Sequence, residues 1–200
     1  MKNSLIILMF FVIGIVSGLF VPIPRSNLET NLSLYVLYVL MFLVGVTIGS
    51  DTAAWKMIKS VRGKIFLVPL SIIIGTLTGV GLVSIGIHGM SLKESLAVGA
   101  GFGYYSLSSI LITEISGETL GIIALLSNIF REIITLVASP LFAAYCHKLA
   151  PIASGGATSM DTTLPIIVKT IGKNYAIISI VSGTILTILV PFIVTFILKA

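Results

Sequence analysis

The 200-residue chain is 56% hydrophobic and only 10% charged, with a mean hydropathy of +1.16; soluble globules carry about 25% charged residues, so lipid rather than water must touch most of the exterior. The net charge of +5 sits in short connections between apolar runs, without the basic patch and stacking aromatics that nucleic-acid binding needs. One cysteine, Cys146, and two histidines, His88 and His147, form neither a CxxC nor an HExxH pattern, so no metal or other cofactor is expected.

Taken in chain order, Lys2 precedes an apolar run that Pro22, Pro24 and Arg25 end. No A-x-A-like cleavage site follows, which predicts a retained span rather than a signal peptide. Further apolar blocks give an all-α polytopic membrane protein, since each is near the 20 residues a helix needs to cross about 30 Å of hydrocarbon. The ten-residue alternation of a barrel is absent. Clean blocks occupy 4–22, 32–50, 64–87, 119–143 and 175–198; two more, 92–113 and 149–171, are polar and glycine-rich. If both irregular segments traverse, the chain crosses about seven times as a single membrane-embedded domain over 1–200.

Basic residues set the orientation. With the N-terminus inside, Lys2, Lys56, Lys59, Arg62, Lys64, Lys169 and Lys173 lie inside, and Arg25, Lys93, Lys148 and Lys199 outside. Arg131 falls within a span.

Three stretches carry candidate chemistry. In the fifth span Ser127, Asn128, Arg131, Glu132, Thr135 and Ser139 fall within one arc of about 140° at 100° per residue, a polar face on an otherwise apolar helix. Placing Arg131 and Glu132 in a bilayer costs about 2.5–3.5 kcal/mol each even on a lenient scale, which marks the face as functional unless the two merely form a structural ion pair. The segment from Pro151 to Pro165 holds Gly155, Gly156, Thr158, Ser159, Asp161, Thr162 and Thr163, a composition that interrupts a helix. Gly99, Gly101 and Gly103 before Tyr104, Tyr105 and Ser106 give the earlier segment the same character. Paired interrupted segments point to a transporter's central site, where half-helix ends meet charged groups; close packing of small residues is the plainer account. Glu132, Asp161, Arg131, Asn128, Ser159, Thr158, Tyr105 and Ser106 are therefore the expected substrate- or ion-binding residues.

No G-x-x-x-x-G-K-[ST] occurs, so the chain is not expected to drive transport through a P-loop of its own. Two intramembrane acids suit a cationic substrate exchanged for protons, because a carboxylate can release its proton when a cation replaces it. An ion channel, an exporter of another cationic solute and an intramembrane acid enzyme are the alternatives; only one intramembrane aspartate is present, which weighs against the last.

Gly101-Phe-Gly-Tyr-Tyr-Ser-Leu-Ser-Ser109, Asn128-Ile-Phe-Arg-Glu132 and Gly156-Ala-Thr-Ser-Met-Asp-Thr-Thr-Leu-Pro165 resemble the lysine exporter family (LysO) of bacteria and archaea. The resemblance implies export of L-lysine and its analogue thialysine across the cytoplasmic membrane. It implies a relationship to the sodium/proton-antiporter and bile-acid-symporter-like transporters, with inverted repeats and broken helices. It assigns the important acids to Glu132 and Asp161. Fused family members carry a further hydrophobic region before the part matched here, which implies a small hydrophobic membrane subunit as partner, or self-assembly.

Overall fold

The computed structural model describes residues 63–87 and 89–200 throughout (for Lys64 the backbone alone), and before them only positions 13, 16, 35, 39, 42, 43, 46, 50 and 52, each helical. The spans expected over 4–22 and 32–50 therefore lie largely outside the described residues, as does His88. Met1–Leu43 and Val44–Ala200 are separate compact units, and the architecture below belongs to the second.

Among the described residues every regular element is helical. A short 3-10 turn, Gly63–Phe66, leads into α1 (Leu67–Ser84). Two short helices follow, α2 (Leu92–Gly99) and α3 (Tyr105–Ser116), then the long α4 (Glu118–Tyr145). A second short pair, α5 (Ala150–Gly155) and α6 (Leu164–Ile171), is separated by a 3-10 stretch, Gly156–Met160, and α7 (Ala176–Lys199) completes the chain. Among the described residues, α1, α4 and the Lys173–Lys199 helix are the ones long and apolar enough to cross a membrane. Their outward faces carry bare apolar side chains such as Leu82, Val137 and Phe196, each more than 70% exposed, as lipid contact requires.

The two irregular segments are broken, and each turns back. An unbroken helix rises 1.5 Å per residue. A Cβ at Gly155 would nonetheless lie 2.7 Å from Thr163 Oγ1 and 3.5 Å from Ile167 Cδ1, twelve residues on. Lys148, before α5, and Ile171, at the end of α6, line one cavity beside the last turns of α4. The α5–α6 pair is thus a hairpin whose two ends share one side.

The α2–α3 pair behaves likewise from the other side. Thr76 of α1 reaches Arg131 of α4, while Val83 and Ile87 line a cavity with Thr119 and Leu120, so α1 and α4 run antiparallel. Met90 and Glu94, before and within α2, line that same cavity together with Ser116 at the end of α3. The expectation that 92–113 and 149–171 each traverse thus differs from the fold, in which, among the described residues, three membrane-length helices flank two opposed hairpins. The reason is the backbone: Gly103 (φ +94°) and Gly156 (φ +61°) adopt left-handed conformations that redirect the chain instead of merely kinking it.

This arrangement moves Lys148 to the end that holds Lys169 and Lys173, and moves Glu114 and Glu118 to the end that holds Glu94. The first end carries no described acid; the second carries three against Lys93 and Lys199. The charge asymmetry, positive on one face, is sharper than the seven-crossing reading allows.

Sidedness is directly testable with Cys146, which is exposed and the chain's one cysteine. A membrane-impermeant thiol reagent should reach Cys146 from one face of the membrane. In a Cys146→Ala background, Asn174→Cys should label from that same face, and both Lys93→Cys and Ser116→Cys from the opposite one. Labelling of Lys93→Cys and Ser116→Cys from different faces would restore the traversing segment.

Candidate functional site

The hairpin tips meet half-way along α4. The Ala157 N–H donates to the Phe102 carbonyl at 2.8 Å, tying the second tip to the first. A Cβ at Gly103 would lie 2.8 Å from the Gly155 carbonyl, and one at Gly156 would collide with the Phe102 carbonyl, so both turns need glycine for closeness as well as for φ. Phe102 is itself left-handed (φ +45°) and wholly buried. A non-glycine residue there costs about 1–3 kcal/mol and persists only where its surroundings hold it. The flanking contacts supply that hold.

A broken helix in lipid leaves backbone groups that water cannot satisfy. The polar face of α4 supplies partners to both tips. Asn128, 3% exposed, accepts from Gly103 N–H at 2.7 Å and donates through Nδ2 to Val98 O at 3.3 Å and Ala124 O at 2.9 Å. One turn further, Arg131 Nε donates to Ser154 O at 2.8 Å, and Nη2 to Ala153 O at 2.9 Å and Thr76 Oγ1 at 3.4 Å. These are the freed carbonyls at the C-terminal end of α5, where a cation is electrostatically favoured. Thr135 Oγ1 adds a 2.6 Å hydrogen bond with Ser154 Oγ. α4 clamps the first hairpin with Asn128 and the second with Arg131.

The hydroxyls of the second tip are spent locally. Thr158 Oγ1 donates to Gly155 O at 2.9 Å and Thr163 Oγ1 to Thr158 O at 3.0 Å. Ser159 and Ser179 bond each other's carbonyls, Ser179 Oγ to Ser159 O at 2.7 Å and Ser159 Oγ to Ser179 O at 3.1 Å. This fixes the tip to α7, where a Cβ at Gly183 would lie 2.7 Å from Ala157 O. Sequence reasoning passed over Ser154, Ser179 and Gly183; the small residues Ser179, Ser182 and Gly183 within the last apolar run are the signal for close helix approach that could have found them. Ser108, completely buried beside Gly101, has no hydrogen-bond partner for its hydroxyl.

The two acids stand apart from this clamp. Asp161 is exposed, accepts only its neighbour's Thr162 N–H at 2.6 Å, and lies within electrostatic reach of half-buried Tyr104. Glu132 is half-buried and has no hydrogen-bond partner among the described residues. Because consecutive helical residues project about 100° apart, Glu132 and Arg131 lie on opposite flanks of the buried strip of Asn128, Thr135 and Ser139, and they form no ion pair. Tyr105 is half-buried and Ser106 exposed at the start of α3. The expected residues thus divide: Asn128, Arg131, Thr158 and Ser159 hold the tips together, while Asp161, Glu132, Tyr105 and Ser106 keep polar groups uncommitted nearby.

A cavity of about 650 Å³ runs from the level of Arg131, Asn128 and Ser127, between α1, α2 and α4, toward the acidic end at Glu94. Neither Asp161 nor Glu132 lines it.

Crossing helices around opposed, broken hairpins whose tips meet within the bundle define a multi-pass membrane protein built on a transporter's plan. Residues 8–198 match the family profile of the lysine exporter LysO, and the chain belongs to that family. It is 35% identical over 167 residues to the lysine exporter LysO of Escherichia coli (strain K12), covering 84% of this chain and 55% of that protein. It is 34% identical over 190 residues to a candidate lysine exporter of Haemophilus influenzae, covering 92% of this chain and 93% of the relative. The chain therefore spans about half the length of the first relative and nearly all of the second. No solved structure matches it.

The clamp predicts a stability signature. Arg131→Met strands the Ala153 and Ser154 carbonyls and Asn128→Leu strands the Gly103 N–H, at about 1–3 kcal/mol for each stranded group. The melting temperature of detergent-solubilised protein should fall for both, and further for Arg131→Met, while exposed Ser127→Ala should leave it unchanged. Wild-type melting of Arg131→Met would remove the clamp.

Proposed function

We propose that this protein exports L-lysine, and analogues such as thialysine, across the cytoplasmic membrane of a prokaryote in exchange for protons. The observation that carries the reading is Asp161: an exposed carboxylate at the junction of two broken hairpins, with no cationic partner among the described residues. The names of its relatives supply the substrate.

In this reading Asp161 and Glu132 alternate between protons and the substrate's ammonium groups. Desolvation favours the protonated acid, and an arriving cation favours the ionised one, so substrate and proton compete for the same carboxylates. Arg131 keeps its Nη1 group uncommitted at the inner end of the cavity, and there it suits the carboxylate of an amino acid in transit. Tyr105 and Ser106 offer hydroxyls beside the path. Among the described residues this reading takes three crossings and two re-entrant hairpins in place of a traversing 92–113 and 149–171. A relationship to the inverted-repeat antiporters rests on the same opposed broken segments. Exposed Ser106, Asp161 and Thr162 half-way along a membrane bundle need cover from lipid; a small hydrophobic subunit or a second copy would provide it.

The test is efflux of labelled lysine from proteoliposomes under an imposed pH gradient. Asp161→Asn and Glu132→Gln should each abolish exchange while abundance stays near normal, because removing a charge from the bilayer eases insertion by up to about 2.5–3.5 kcal/mol. As Arg131 is already held by carbonyls, adding Arg131→Gln to Glu132→Gln should not restore transport. A rescued, active double variant would remove Glu132 from the exchange site, and wild-type exchange by Asp161→Asn would overturn the mechanism.

Cells lacking the protein, in a strain without a second exporter, should become sensitive to thialysine. Unchanged growth inhibition would overturn the lysine assignment.

A further inference from the structure

The basic end of the bundle holds a second cavity, of about 610 Å³, between the last turns of α4 and α6. Pro140, Ala143 and Ala144 form one wall and Ile166 part of the other, while Lys148, in the turn between α4 and α5, and Lys169 of α6 stand at its rim. Both lysines are exposed and neither makes an ion pair. The described acids are elsewhere: Glu94, Glu114 and Glu118 at the opposite end, Glu132 and Asp161 half-way along. No acid among the described residues neutralises this pair.

A cationic substrate would be repelled here, so the groove does not belong to the transport path proposed above. Its shape and charge match another molecule present at this depth. An apolar slot open to the bilayer accepts an acyl chain, and two lysines at the membrane–water boundary accept a phosphate, their stems packed along the apolar wall and their ammonium groups turned outward. The end concerned is the positive one, which faces the cytoplasm. We infer that the groove between α4 and α6 is a binding site for one anionic phospholipid of the inner leaflet, with its phosphate held by Lys148 and Lys169. Its occupant would brace the open end of the α5–α6 hairpin against α4, on which the tip that carries Asp161 depends.

Native mass spectrometry of the full-length protein, extracted from vesicles of mixed phosphatidylglycerol and phosphatidylcholine, reads the site directly. Wild type should retain phosphatidylglycerol preferentially. Lys148→Gln with Lys169→Gln should weaken that preference about thirtyfold, the factor that two surface lysines together amount to. Replacement of both by arginine should keep the preference, and Lys173→Gln, an exposed lysine outside the groove, should leave it unchanged; these variants serve if the glutamine pair fails to fold. Equal retention of the two lipids by wild type, or an undiminished preference in the glutamine pair, would overturn the site. Displacement of the lipid by millimolar inorganic phosphate would assign the lysines to a free anion and overturn the lipid. Because the readout is bound lipid, these outcomes are independent of whether lysine is the transported substrate.

Discussion

The hydrogen bond from Ala157 N–H to the Phe102 carbonyl joins the two places where the chain reverses inside the bundle, and the remaining geometry is arranged to make it possible. Neither turn could survive alone in lipid. Each exposes amide and carbonyl groups that only protein can satisfy, and each is narrow enough that a side chain at Gly103 or Gly156 would force them apart. Opposed hairpins solve both problems at once, because each tip fills the space and meets part of the hydrogen-bonding demand of the other.

What the tips cannot do for each other, α4 does. Asn128 and Arg131 are one turn apart on the same helix, yet the first serves α2–α3 and the second serves α5–α6. A rigid helix thereby fixes the separation of two otherwise independent hairpins. The guanidinium suits its position because the end of α5 presents several carbonyls at once, and a planar group with several donors can engage two of them while a further pair stays free. This also explains how a buried cation is tolerated beside an acid it does not pair with: carbonyl dipoles, not Glu132, compensate its charge. Glu132 is consequently left available.

The same fold separates charge along the membrane normal. Because each hairpin returns to its own side, the connections at one end collect lysines and those at the other collect glutamates. In the proposed export, a cation leaving by the cavity that opens toward Glu94 would move down this gradient, from a lysine-bearing face to an acidic one. Export of a positively charged solute fits that polarity better than uptake would.

Much of this was legible in the sequence. The apolar blocks gave a helical membrane protein, because a bilayer permits few alternatives to a helix of about 20 residues. The polar arc on the fifth span, and the interruptions at Gly101–Gly103 and Gly155–Asp161, identified the parts that converge, since polar groups and glycines in lipid are costly without a purpose. Whether those interruptions were kinks or reversals was not legible. Glycine permits a left-handed turn without demanding one, and the partners that decide it, Asn128 for Gly103 and Arg131 for the end of α5, lie more than 20 residues away in each case. The division of the polar arc had the same origin. Periodicity shows that Asn128, Arg131 and Glu132 share a face, but which side chains are consumed by neighbouring backbone depends on the packing of α2 and α5. The sequence by itself determined that these residues would sit together in a membrane; the tertiary structure decided which of them hold the fold and which remain free, because hydrogen-bond partners are set by distance in space and not along the chain.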